Sequence, residues 1–229
     1  RNEYENLDEI ERIFKDNFYQ ITHEVILIND YSTDNTLGKA KEIAEKNKNF
    51  VVLNNQKEGL GGAINLGIEE ANGKFVCIMM ADLSDDINDL KKYYKLMEEN
   101  SYDAIFGSRF TRDSIVDGYP IKKLILNRIF NFFVSLIFLN KYNDYTNAFK
   151  IYKASMIKNF TPLTSESFNV FLELPLKVIS RKYKFTTIPI NWRTRKKGEA
   201  KFKIKELRSK YLFTLIYCFI EKILLNKKK

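Results

Sequence analysis

Four short apolar runs, 23–29 (HEVILIN), 50–54 (FVVLN), 74–80 (KFVCIMM) and 103–107 (DAIFG), are separated by amphipathic helical patterns at 35–47, 60–72 and 86–99. A strand that reads as an almost unbroken apolar run is buried on both faces, and a helix between two such strands carries the chain back to start the next in the same direction. The spacing therefore predicts a doubly wound α/β unit, a mostly parallel central sheet flanked by helices. A helix at 5–19 precedes it, and Ser32 or Asp34 is positioned to cap the helix at 35–47. At 229 residues and 45% hydrophobic content the chain is long enough for one well-buried domain.

The second half changes character. Residues 121–142 (IKKLILNRIFNFFVSLIFLNKY) and 206–225 (ELRSKYLFTLIYCFIEKILL) read as long apolar helices with basic residues interspersed. Each is too polar to span a bilayer; each suits either the membrane interface, aromatics down and Lys or Arg at headgroup level, or a buried core or dimer seam. Between them 183–192 reads as a strand whose Pro189 suggests an edge, and Pro175 is expected to start, kink or split a helix. Two segments are expected, a globular domain over 1–202 and an amphipathic basic helix over 203–229.

The net charge of +9 suits nucleic acid, anionic headgroups or phosphorylated substrates alike. Its densest run, RTRKKGEAKFKIK at 193–205, lacks aromatics interleaved on a basic face beyond Trp192 and Phe202, which argues against nucleic acid. Cys77 and Cys218 stand far apart in apolar contexts, as two buried thiols of a reducing compartment would. With His23 they are too few for a zinc site, and no secretory signal pattern is present.

In a doubly wound sheet ligands bind beyond the carboxyl ends of the strands, so the turns there carry the chemistry. They are NDYSTDNT, NNQKEGLGG, MADLSDD and GSRFTRD, all polar. Asp82, Ser84, Asp85 and Asp86 could assemble oxygen ligands for a hard divalent cation whose shell substrate phosphates complete. Asp85 and Asp86 equally suit the start of a helix, where acids complement its dipole. Gly59, Gly61 and Gly62 open a helix, where backbone amides can approach a diphosphate, although no Gly-Lys-Ser/Thr follows as in a P-loop. Asp30, at a strand end, is placed to accept hydrogen bonds from a base or ribose.

Together these segments resemble the family 2 glycosyltransferases of GT-A fold, the nucleotide-diphospho-sugar transferase fold, and most closely the polyprenyl-phosphate, dolichol-phosphate mannose synthase-like branch. RNEYENL looks like the end of the family's first strand and the turn after it, LINDYSTDNT like VDDgSxDgT, EGLGGAINLGI like xGLGxAxxxGi, and MMADLSDD like MDADLSHP. FGSRF, DYTNAFKIY, FNVFLELPLKV and IPINWRTRKKGEAKF follow in family order, so the resemblance covers nearly the whole chain. Met80 stands where the family has the first Asp of its acidic triplet, Lys150 where it has Arg, Ala200 where it has Ser, and Asn29 where it has the first Asp of a pair. The chain opens at the very end of the first strand, so that strand is expected to be missing.

The resemblance implies an inverting, metal-assisted transfer of a sugar from a UDP- or GDP-linked donor to a polyprenyl phosphate. Asp82 would hold Mg2+ or Mn2+ with Ser84 beside it. Glu3, Asp30, Asp82 and the Gly59, Gly61, Gly62 turn would hold the nucleotide and sugar. Arg109, Lys123 and Asn127 match the acceptor-phosphate positions, and Arg195 and Lys201 the segment that closes over both phosphates. Catalysis would then rest on Asp82, Arg109, Arg195 and Lys201, in a cytoplasmic enzyme peripheral at the inner face of a membrane. Two other readings stand beside this one. A saccharide-hydroxyl acceptor would need a general base, for which Asp144, Glu166 or Glu173 is available. A nucleotide-sugar-binding module without turnover would account for Met80 and the missing strand.

Overall fold

The computed structural model describes residues 1–195 and 204–226, the side chains of 204–208 and 226 excepted. Helix α1 (Leu7–Phe18) leads into strand β1 (Val25–Asn29), helix α2 (Thr36–Lys46), strand β2 (Phe50–Asn54), helix α3 (Leu60–Glu70) and strand β3 (Phe75–Ile78). Helix α4 (Ile87–Glu99), strand β4 (Ala104–Ser108), the two-residue strand β5 (Val116–Asp117) and helix α5 (Ile121–Phe138) follow. The chain continues through β6 (Lys150–Lys153), the short α6 (Ala154–Ile157), α7 (Val170–Ser180), β7 (Phe185–Pro189), β8 (Trp192–Arg193) and α8 (Ile204–Asn226). The strand–helix alternation of the first half is as its apolar periodicity indicates.

Strand pairing refines the expected sheet. β1 and β2 pair in parallel as a sheet of two, while the larger sheet has the order β3-β6-β4-β7. β6 runs antiparallel to both neighbours, so β3 and β4 are parallel to each other but never touch, and β4 pairs in parallel with β7. The larger sheet is thus mixed rather than mostly parallel by pairing. The reason is topological, since the chain leaves β4, runs out along α5, and returns through 139–149 to insert β6 from the opposite direction. Periodicity along one strand carries no information on the direction of its neighbours. Neither β5 nor β6 stood out in the sequence. β7 is an edge strand ending at Pro189, as that proline suggests.

Among the described residues no strand lies between β1 and β3. Their facing edges border a cavity of about 910 Å³, walled by Ile26, Ile28, Ile64, Val76, Ile78 and Leu90. Cys77 lines this cavity and is only partly buried, while Cys218 is buried as expected.

α7 runs unbroken through Pro175, contrary to the expected interruption. Proline withholds one intrahelical hydrogen bond, and the burial of nearly every residue of this helix outweighs that loss. α8 packs on α7 and α5 rather than standing apart. Thr214 accepts from Asn169 Nδ2 at 2.9 Å, Arg181 meets Glu221 at 2.6 Å, and Lys222 Nζ donates to the Phe138 carbonyl at 2.6 Å. Phe130 faces Tyr211 and Phe138 faces Phe219, so α5 and α8 run side by side in the same sense.

Thr214→Val tests this packing. It removes the acceptor of a fully buried amide and is expected to lower stability by about 1–3 kcal/mol in chemical denaturation of the whole chain. An unchanged midpoint would show that α8 contributes nothing to the folded body.

Candidate active site

Asp30 follows β1, and its Oδ1 accepts from Asn55 Nδ2 at 2.7 Å and from the Gly59 amide at 2.9 Å. One carboxylate oxygen thereby ties the β1 end to the turn that opens α3. Gly59 holds φ +117°, a conformation that L side chains rarely adopt. A Cβ on Gly61 would collide with the Ser165 carbonyl and the Glu166 backbone, and one on Gly62 with the Lys57 carbonyl. The Gly61 amide itself donates to the Glu166 carbonyl at 3.0 Å. In this structure the glycines make room for the chain's own backbone, the 165–166 loop, rather than leaving an open cradle of amides.

Asp82 lies in the turn after β3. Its Oδ1 accepts from the Ser84 amide at 3.1 Å, and its Oδ2 from Arg195 Nη2 at 2.8 Å. The other arm of Arg195 reaches the Glu3 carboxylate, with Nη1 3.6 Å from Oε1. Glu3 also accepts from Asn6 Nδ2 at 2.7 Å, and its amide donates to Thr36 Oγ1. Glu3, Asp82 and Arg195, far apart in sequence, thus form one cluster. Arg195 is delivered there by a backbone ladder: the Arg193 amide donates to the Ser84 carbonyl at 3.0 Å, and β8 pairs in parallel with β5.

Asp86 caps α4 by accepting from the Asn88 amide at 2.9 Å, as one reading of the acidic turn expects. Asp85 does not share that role. It turns inward, its Oδ2 is buried without a hydrogen-bond partner among the described residues, and burial together with the nearby Asp82 charge pushes its carboxyl up to about 7. The sequence held no signal to separate Asp85 from Asp86.

Arg109 lies nine-tenths buried behind β4, where Nε and Nη2 grip the two oxygens of Asp144 at 2.9 and 2.7 Å. Burial opposes the guanidinium charge, but Asp144 more than offsets this and raises the group above its ordinary range. The rings of Phe110, Tyr119 and Trp192 enclose it, at 5.3, 5.5 and 5.9 Å. Arg109 is therefore already paired rather than a freely presented cation. Arg128, which lies in none of the motif segments, is 4.5 Å from the Phe110 ring and donates to the Asn143 carbonyl at 2.9 Å. Lys123 is exposed on the first turn of α5, and Asn127 donates to Thr146 Oγ1 at 2.8 Å. Lys201 lies outside the described residues.

The three carboxylates considered as a general base are all engaged. Asp144 is fully buried on Arg109. Glu173 is fully buried and accepts from the Thr164 and Ser165 amides at 3.0 and 2.8 Å, with Lys177 at 2.8 Å. Burial works against its charge, yet Lys177 and those amides hold it below the usual carboxylate range. Glu166 is exposed between Lys57 at 3.4 Å and Lys210 at 3.7 Å.

Residues 1–161 match the family described as "Glycosyl transferase family 2". The chain belongs to glycosyl transferase family 2. It is 25% identical over 209 residues to a dolichol-phosphate mannosyltransferase of Pyrococcus furiosus, covering 90% of this chain and 58% of the relative. It is 32% identical over 145 residues to a dodecaprenyl-phosphate galacturonate synthase of Rhizobium johnstonii, covering 59% of this chain and 39% of the relative. This family 2 chain therefore spans little more than half the length of the first relative and less of the second. Among solved structures, glucosyl-3-phosphoglycerate synthase from Mycobacterium tuberculosis superposes with a TM-score of 0.69 at 13% identity, over 95% of this chain and 76% of that one. That likeness establishes the GT-A fold. The same synthase has been solved with Mn2+ and uridine diphosphate bound.

Two expected outcomes follow from the buried charges. Glu173→Ala should destabilise the chain by about 3–5 kcal/mol, since it strands Lys177 and two amides; loss of transfer with stability intact would instead mark Glu173 as a base. Lys150, fully buried and donating to the Tyr145 and Asn147 carbonyls, is pulled down to about 7 by burial. Its folded state binds fewer protons than the unfolded chain above that pH. Stability referred to Lys150→Met should thus rise as pH climbs from about 7 to 9.5, and a flat difference would contradict the shift.

Proposed function

We propose that this family 2 glycosyltransferase moves a sugar, with inversion, from a nucleoside-diphosphate sugar to a polyprenyl phosphate at a membrane surface. The observation that carries the acceptor is a juxtaposition at α5. Arg128 of α5 and the enclosed Arg109 share the Phe110 ring, Lys123 is exposed on the first turn of α5, and the outer row of that helix, Ile121, Ile125, Ile129, Phe132, Phe133 and Leu136, is exposed. The neighbouring α8 exposes Leu212, Phe213, Ile216, Ile220 and Leu224. A cationic end beside a broad apolar face suits a ligand with a phosphate head and a hydrocarbon tail. Among the described residues no helix is long and apolar enough to cross a membrane, so the proposed contact lies in the interface.

The acceptor's chemistry agrees with the state of the carboxylates. A phosphate oxygen is already anionic near neutral pH and needs positioning rather than a base, whereas a saccharide hydroxyl would need one, and of the candidates Asp144 and Glu173 are buried in pairs with Arg109 and Lys177. On the donor side, Asp30 orders the turn before α3, and Glu3 and Asp82 face the same site through Arg195.

The donor set admits a divalent cation only in company. Among the described residues no group of three His, Cys, Asp or Glu could hold a metal, and Met80 removes one carboxylate from the turn. One carboxylate suffices where substrate phosphates and water complete the shell, as magnesium sites often arrange. Asp82 would hold Mg2+ or Mn2+ in this way, and the ion would supply charge stabilisation to the departing nucleoside diphosphate. Arg195 would steady the phosphates, Arg128 would orient the acceptor with Arg109 held behind it on Asp144, and the rings around them would keep water out.

The test is transfer of radiolabelled sugar from UDP- and GDP-linked donors to polyprenyl phosphate in anionic vesicles, beside a soluble saccharide. A lipid-linked product that Arg128→Ala cuts at least about tenfold is expected. Product on the saccharide alone would favour the hydroxyl-acceptor reading, and nucleotide binding without any product would favour a module without turnover.

A further inference from the structure

The Asp82–Arg195–Glu3 cluster has a consequence for how a metal enters. Arg195 Nη2 lies 2.8 Å from Asp82 Oδ2 while Asp82 Oδ1 accepts the Ser84 amide, so both oxygens of the carboxylate are engaged. The Asp82 and Arg195 side chains are only 12% and 20% exposed, so water screens the pair less than it would at an open surface. Arg195 is held to this position from both sides. On one side, β8 is pinned by the Arg193 amide on the Ser84 carbonyl, the Thr194 amide on the Asp117 carbonyl at 3.0 Å, and the Asn191 amide on Asp89 Oδ2 at 2.7 Å. On the other, Glu3 lies 3.6 Å from Nη1 and is itself fixed by Asn6. Met80 stands in place of a second carboxylate before Asp82, and the neighbouring Asp85 turns inward, its Oδ2 buried without a hydrogen-bond partner among the described residues.

We infer that Arg195 is a tethered cation that competes with the divalent metal for Asp82, so that metal binds only by displacing the Arg195–Asp82–Glu3 bridge. The inference rests on the reading of Asp82 as the metal carboxylate. A guanidinium and a divalent ion both seek the same oxygen, and two cations cannot share one carboxylate at this spacing without repulsion. Displacement costs the bridge, and a nucleoside diphosphate arriving with the ion offers the released guanidinium new anionic oxygens to bind. Metal alone is therefore held poorly and metal with nucleotide well, which orders the loading of the site. Arg195 acts here as a positioning residue that sets metal affinity.

Mn2+ binding to the whole chain, followed by electron paramagnetic resonance of the free ion, separates the possibilities without any turnover. The panel is the unmodified chain, Arg195→Gln, Arg195→Lys and Asp82→Asn, each with Mn2+ alone and each checked for a cooperative melt. Arg195→Gln is expected to tighten Mn2+ about tenfold, Arg195→Lys less, and Asp82→Asn to abolish binding. Unchanged or weaker binding in Arg195→Gln, with Asp82→Asn still abolishing it, would overturn the competition while leaving Asp82 as the metal residue. Binding in Asp82→Asn equal to that of the unmodified chain would overturn both. Should Arg195→Gln fail to melt cooperatively, Arg195→Lys decides, since a shorter reach to Glu3 weakens the bridge and no tightening would overturn the proposal.

Discussion

The pair between Arg109 and Asp144 holds the two halves of the molecule in register. The guanidinium closes the end of β4, and the carboxylate belongs to the segment that returns from α5 to become β6. Around them the Arg109 amide also donates to Asp144, and Tyr142 Oη and Asn147 Nδ2 both donate to the Gly107 carbonyl. Every one of these bonds fastens 142–147 across the β4 end, and that is what lets β6 slide in antiparallel between β3 and β4. Desolvating two full charges is expensive, and the geometry here offsets it with a bidentate contact and three aromatic rings. β6, paired in register with both neighbours, sets β3 and β4 one strand apart, and the Arg109–Asp144 pair fixes the return segment that delivers it.

That spacing gives the site its polarity. Acid gathers on the donor side, where Glu3, Asp82 and Asp85 meet, and positive charge gathers toward α5, in a protein of net charge +9. On the proposed reading, a metal and a diphosphate would neutralise one side and a lipid phosphate the other, with the sugar passing between them. The apolar faces of α5 and α8 continue from the cationic side, so the proposed lipid would arrive head first at the arginines. On that reading, two anionic ligands and an anionic surface would account for the excess positive charge.

Much of this was legible in the sequence. Strand–helix alternation, the turns that carry Asp30, Asp82 and Arg109, and the apolar helices expected at 121–142 and 206–225, found at Ile121–Phe138 and Ile204–Asn226, follow from periodicity and turn composition. What escaped is what depends on partners distant in the chain. Asp144 and Glu173 looked like free carboxylates because nothing near them in sequence reveals Arg109 or the buried amides that claim them. The glycines at 59–62 looked like an anion cradle because the loop at 165–166 that fills the space lies a hundred residues further on. Neighbouring Asp85 and Asp86 have opposite environments, one buried and half unsatisfied, the other a helix cap, because a single residue's step in a turn reverses the direction of a side chain. The antiparallel β6 was invisible for the same reason that all pairing direction is.

The central claim, a nucleoside-diphosphate site built on Asp82, is tested most directly by thermal unfolding with UDP and with GDP, each with and without Mn2+, on the chain and on Asp82→Ala. A ligand at about a hundred times its dissociation constant stabilises by roughly 2.7 kcal/mol, several degrees for a chain of this size. A Mn2+-dependent rise with one of the two nucleotides, lost in Asp82→Ala, is expected. Cooperative melting with no rise from either nucleotide, or a rise that Asp82→Ala retains in full, would contradict it.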